Sequence, residues 1–144
     1  MNETNQIIAV LVVRVFLGVI IFMQGYDKVF KLGIKYVVRS FEYPLKNIHH
    51  LPDFLLVAGV LFTSFVELIG GFLLIVGLLK HFTLYFMAAD FIIAAIGFGI
   101  MKPMWDMQHV FPRFILLVFL LIMPSQWDII SLDHLISISN ILNK

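Results

Sequence analysis

The sequence predicts an all-α fold, a polytopic membrane four-helix bundle with an interfacial segment between helices 1 and 2, on three observations. Hydrophobic residues make up 61% of the chain, mean hydropathy is +1.01 and charged residues are only 13%, about half of the roughly 25% usual in soluble domains. The stretch from Leu55 to Leu79 is apolar but for a single ionisable residue, Glu67, at its midpoint. Basic residues gather between the apolar runs more than within them. About 20 apolar residues rising 1.5 Å each cross a hydrocarbon layer of roughly 30 Å, so residues 1–144 read as a single membrane domain with room for about four crossings. The net charge of +1 carries no nucleic-acid footprint, and the lipid bilayer is the partner that composition demands. Zero cysteines exclude disulfides, thiolate metal sites and thiol redox chemistry.

Residues 1–6 are polar and lack Lys or Arg, unlike the basic start of a secretory signal, so Ile7 to about Tyr26 reads as a retained first helix. It carries Arg14, with Gly18 and Gly25 in register at +4 and +11, which lets a neighbouring backbone approach the face that bears the cation. From Tyr26 to Asp53 the composition turns basic; Ile34, Val37, Val38, Phe41, Leu45 and Ile48 recur at helical spacing with Lys35, Arg39 and Lys46 between them, until Pro44 interrupts. That pattern suits a segment lying in the headgroup plane.

The second helix follows, then a tight turn at Lys80 and His81, then an apolar run from Phe82 to Ile100 that contains Asp90, with Ala94 and Gly97 at +4 and +7. Lys102, Pro103, Trp105, Asp106 and His109 form the next break. The clean apolar run Phe114–Met123 is short, so a fourth crossing must also take in Val110 to Arg113 and Pro124 to Ile130. Pro112 is tolerable in a first helical turn, Arg113 can snorkel to the interface, and Trp105 and Trp127 fit interfacial anchors. The tail from Ser131 onward is too short for a fifth crossing and reads as interfacial. With four crossings, Lys28, Lys31, Lys35, Arg39, Lys46, Lys102 and Arg113 share one side and Lys80 and Lys144 the other, so the positive-inside rule puts both termini outside the cytoplasm.

The charges within the apolar runs are the sharpest chemical signal. A carboxylate mid-helix costs about 2.5 to 3.5 kcal/mol on insertion scales. Counting 1.5 Å per residue from the amino-terminal side, Arg14 lies about 10 Å deep, Asp90 about 12 Å and Glu67 about 18 Å, so three helices are expected to bring a buried charge cluster together. As a structural device the cluster fixes helix register. As a functional one, a cation facing two acids leaves excess negative charge, and one acid could relay protons or donate a hydrogen bond to a polar ligand. Gly18, Gly70, Gly71, Ala94 and Gly97 are the candidate helix-packing positions. His49 and His50 are adjacent without further ligands at metal spacing, His109 and His134 lack evident partners, and no metal motif emerges. The many phenylalanines read as lipid-facing bulk, a surface that also suits a flat apolar ring such as a quinone.

The first helix and its exit, RVFLGVIIFMQGYDKVFKLG, resemble the opening of the DoxX family of small bacterial integral membrane proteins, through Arg14, Gly18, Gly25 and Lys28. The second helix resembles the family's Glu followed by Gly-rich apolar sequence and a basic turn, in Glu67, Gly70, Gly71, Gly77 and Lys80. Ser131, Leu132 and Asp133 resemble its closing segment. Gln24 stands in the helix-exit motif of Gln24, Gly25 and Lys28 where the family commonly has His, and Gln cannot shuttle a proton as His can. The resemblance implies a four-helix bundle in the bacterial cytoplasmic (inner) membrane and, in some members, a membrane subunit of a quinone-linked oxidoreductase served by a soluble or membrane redox partner. Two functions follow: such a subunit, with Arg14, Glu67 and Asp90 near a quinone or proton path, or a non-catalytic scaffold or small-solute carrier whose cluster is structural. Polar faces in so small a bundle also make a homo-oligomer plausible.

Overall fold

A computed structural model describes residues 3–42, 52–101 and 110–142. They are helical, with no strand among them. α1 spans Glu3–Tyr26 and runs on as a π-helical stretch, Asp27–Leu32. Gly33, at φ 79°, turns the chain into α2, Ile34–Glu42. α3, Asp53–Phe65, passes through a second π-helical stretch, Val66–Gly70, into α4, Gly71–Val76, so that the three form one rod. α5 is Lys80–Met101, α6 Phe111–Ile122 and α7 Leu132–Leu142. Pro44, Leu45, Lys46, Ile48, His49, His50, Lys102, Pro103, Trp105, Asp106, His109 and Lys144 lie outside the described residues.

Among the described residues, three helices are long and apolar enough to cross a membrane: Glu3–Leu32, Asp53–Val76 and Lys80–Gly99. α6 is apolar but shorter, and the extension expected beyond it does not form. Met123 is extended, Pro124 follows, and a single 3₁₀ turn, Ser125–Trp127, folds the chain back on the bundle. Pro112 sits in the first turn of α6, where its missing N–H costs little. Trp127 is half-buried against the core.

Apolar residues cover both inside and outside. Leu17, Ile21, Leu74, Leu84, Met87, Leu117 and Leu120 are fully buried between α1, α4, α5 and α6, while Phe16, Phe54, Phe72, Phe82 and Phe86 face outward and are more than half exposed. A helix apolar all round is what a lipid solvent permits. α2 differs: Val37 and Phe41 pack toward Leu56 and Val60 of α3, whereas Lys35 and Arg39 stay exposed, the two-faced layout of an interfacial helix.

Candidate functional site

Small residues set the register between α1 and the second rod. A Cβ on Gly25 would stand 2.6 Å from Leu68 Cα, one on Gly71 2.6 Å from Phe22 Cα, and one on Gly18 3.0 Å from the Gly71 carbonyl oxygen. The two backbones therefore touch along an antiparallel seam, each step up α1 matched by a step down its neighbour. Gly70 faces Met87 of α5 instead, where an added Cβ would stand 3.2 Å from the Met87 Cε.

That seam brings Lys28 level with Glu67. Lys28 Nζ lies 2.7 Å from both Oε1 and Oε2, and Glu67 is buried. Both partners stand in π-helical stretches, whose wide turns recur at functional sites. Beside them, Arg113 of α6 donates from Nη1 to Gln24 Oε1.

These four side chains form the polar end of a cavity of about 260 Å³. Its body is apolar: Val37 and Phe41 from α2, Leu55, Leu56 and Val60 from α3, Phe91 and Phe98 from α5, and Val110. The Phe41 and Phe98 rings meet with centroids 6.3 Å apart, so α2 lies across the cavity. Such a site offers ammonium, guanidinium and amide donors to a ligand's polar end and aromatic and aliphatic surface to the rest. Ala94 and Gly97, expected to pack helices, line this cavity, and a Cβ on Gly97 would meet nothing within 4 Å.

Arg14 is placed elsewhere, which corrects the expected cluster. Its Nε lies 3.5 Å from Asp128 Oδ1, and its Nη2 donates to the Ile130 carbonyl at 2.6 Å. Asp128 Oδ2 is 3.0 Å from Lys80 Nζ. All three side chains are buried. Depth counting fails because it starts every helix at one plane. The glycine seam fixes the true offset: Gly18 faces Ile75, so Arg14, one turn below, comes level with Gly77 and the turn that follows. Gly25 marks the level of Glu67, eleven residues or about 16 Å further along α1.

The turn itself is built around the guanidinium. Gly77 has φ 72° and ends α4 in a Schellman arrangement, with Leu78 N–H donating to Leu73 O at 3.0 Å. A Cβ there would lie 2.7 Å from Arg14 Cζ and 2.7 Å from Ser131 Cβ. Asp133 then caps α5, its Oδ1 and Oδ2 accepting from the N–H groups of Leu79 and Lys80, both at 2.9 Å. Its own N–H donates to Gly77 O at 3.0 Å. Ser131 Oγ donates to Asp128 O and accepts the His134 N–H at the start of α7. Lys80, Asp128, Asp133 and His134 surround a second, polar pocket of about 200 Å³.

Asp90 joins neither ion pair. It is 1% exposed, and its two oxygens, like Ser64 Oγ and Thr83 Oγ1, have no hydrogen-bond partner among the described residues.

Sequence reasoning missed Asp128 altogether, because it reads as part of a fourth crossing, and treated Lys80 as an interfacial charge. The signal was present in Asp128 itself, an acid inside the Pro124 to Ile130 stretch expected to lie in hydrocarbon. No curated protein and no solved structure matches the chain significantly. The sequence model of the DoxX family matches residues 9–100, a span holding Arg14, Gln24, Gly25, Lys28, Glu67, Lys80 and Asp90, while Asp128 and Asp133 lie beyond it. With most of its length matched and its helix-exit lysine joined to the glutamate of the second span, the chain belongs to the DoxX family.

Proposed function

We propose that this protein is an integral membrane subunit of a quinone-linked oxidoreductase assembly, and that its quinone site is the cavity between α2, α3, α5 and α6. The observation that carries the reading is the cavity's two-part wall: donors from Lys28, Gln24 and Arg113 beside Glu67 at one end, aromatic and aliphatic side chains along the rest. A quinone ring carries carbonyl oxygens, which accept from such donors, on a flat apolar body that such walls cover. Lys28, Gln24 and Arg113 would hold the carbonyls, and Phe41, Phe91 and Phe98 would flank the ring. The bound quinone would supply reversible two-electron chemistry. This chain's residues bind it, orient it and, at Glu67, offer a carboxylate within reach of its polar end. Electrons are assigned to a soluble or membrane redox partner.

In this reading α6 and the non-helical chain packed on the bundle after it together make a fourth crossing of the cytoplasmic membrane, such backbone being tolerated at membrane depth where protein buries it, with both termini outside the cytoplasm, as the basic residues of the first and third loops favour. The polar end of the cavity then faces the cytoplasmic half of the bilayer. The Arg14–Asp128–Lys80 cluster is structural, away from the cavity and binding the chain after α6 to the turn before α5. That arrangement is what a scaffold would also need, and it keeps the non-catalytic reading as the competitor.

The test is purification in mild detergent followed by solvent extraction. Quinone should copurify with the wild-type protein and fall severalfold with Lys28→Met, which removes a donor, while membrane insertion is unchanged. Absence of quinone from well-folded wild-type protein, with Lys28→Met altering stability alone, would establish the scaffold instead.

A further inference from the structure

The small residues of the spans fall into two sets. Gly18, Gly25, Gly70 and Gly71 each have a neighbour within 3.2 Å of where a Cβ would sit, whereas Gly59, Gly97 and Gly99 have none within 4 Å among the described residues. Of these, Gly59 and Gly97 line the cavity, on facing helices, α3 and α5, and Gly99 does not. Leu55, Ile93 and Ile96, which line the cavity beside Gly59 and Gly97, are themselves 49%, 40% and 58% exposed. The cavity therefore opens sideways between α3 and α5, within two membrane-spanning helices, and its mouth is apolar. A polar solute gains nothing from such a mouth, while a hydrocarbon chain fits it without leaving lipid.

Size supports the same conclusion. At about 260 Å³ the cavity falls just below the roughly 300 to 1,000 Å³ that enclose a drug-sized ligand. It can hold a ring or headgroup, and any long chain attached must leave through the mouth.

We propose that the gap at Gly59, Ala94 and Gly97 is a lateral portal that admits a membrane-dissolved amphiphile and holds its hydrocarbon chain, while the acceptor-bearing head lies against Lys28, Gln24 and Arg113. The proposal rests on this cavity being the ligand site, as in the proposed function. It extends that function by requiring a chain-bearing ligand that arrives from the bilayer.

The test uses protein in nanodiscs, with empty nanodiscs subtracted, and two probes: a decyl-tailed benzoquinone and the same ring without its tail. Gly59→Leu and Gly97→Leu place side chains into open space at helical φ, where Leu is the better helix former by up to about 1 kcal/mol, so both variants should fold. Each should weaken the tailed probe at least about tenfold, the loss of roughly two CH₂ contacts at about 0.8 kcal/mol apiece, and change the tail-less probe by less than about twofold. Equal binding of the tailed probe by wild type and both variants would overturn the portal and leave the quinone site standing. If neither quinone binds wild type, the quinone reading falls. The portal is then judged by a fatty alcohol carrying a diazirine in its chain: labelling within 55–63 and 93–97 that Gly97→Leu abolishes supports it, and labelling spread evenly over the outer helix faces overturns it.

Discussion

Asp128 closes on Arg14, its Oδ1 3.5 Å from the guanidinium Nε, although Arg14 lies midway along α1 and Asp128 in the loop after α6. The same carboxylate holds Lys80 at 3.0 Å, so one buried anion joins α1, α5 and the returning chain. Removing one partner of a buried charge group leaves the others uncompensated and costs about 3 to 5 kcal/mol. Asp128→Ala should therefore lower unfolding stability by that amount, measured by denaturant titration in detergent. Adding Arg14→Met and Lys80→Met should restore most of it, because an apolar replacement of the whole group is often neutral. A single-variant loss below about 1 kcal/mol would mean that water enters the cluster freely.

Asp133 makes a separate and smaller contribution. It accepts from two N–H groups at the start of α5, and replacing a capping side chain by Ala costs about 0.5 to 2 kcal/mol. Asp133→Ala should fall in that range, and Asp133→Asn, which keeps one acceptor oxygen, near its lower end. Hydrogen exchange at Leu79 and Lys80 locates the effect: those amides should lose protection first, and uniform loss along α5 would contradict a local cap.

How far this layout was legible in the sequence depends on the residue. The three long spans follow from apolar length alone, and Gly18 and Gly25 share a face by spacing, which is why the seam of α1 could be anticipated. Ala94 and Gly97 also lie on the face of a charge, but spacing cannot tell a small residue that receives a neighbour from one that leaves room. Lys28 escaped the buried charge set because the π-helical stretch at Asp27–Leu32 carries helix 1 past its apolar end. The pairing of Arg14 was illegible for a different reason: depth along one helix says nothing of the stagger between helices, which close backbone contacts decide.

The glycines give a graded test of that stagger. Gly25→Ala forces its Cβ against the backbone at Leu68, and overpacking of this kind costs about 1 to 3 kcal/mol. Gly77→Ala adds a left-handed conformation, worth about 1 to 2 kcal/mol, to a collision with the Arg14 guanidinium. Gly97→Ala enters open space and should stabilise by up to about 1 kcal/mol. Thermal unfolding of the three variants should thus rank Gly97→Ala above wild type and the other two below it. The reverse order for Gly25 and Gly97 would displace the seam.

Lys28 and Glu67 supply the remaining prediction, since their ion pair belongs to both the seam and the cavity. Glu67 is buried whereas the Lys28 side chain is 25% exposed, so removing Lys28 strands an acid in apolar surroundings, and removing Glu67 leaves an ammonium that can still reach the cavity. Lys28→Met should accordingly destabilise more than Glu67→Gln. The double variant should recover part of the loss, with a coupling of about 0.5 to 3 kcal/mol in a double-mutant cycle. Quinone retention separates the two roles of the pair. It should fall with Lys28→Met and stay low in the double variant even where stability has returned, because the donor is gone; retention that instead tracks stability across all three variants would make the pair a packing device and nothing more.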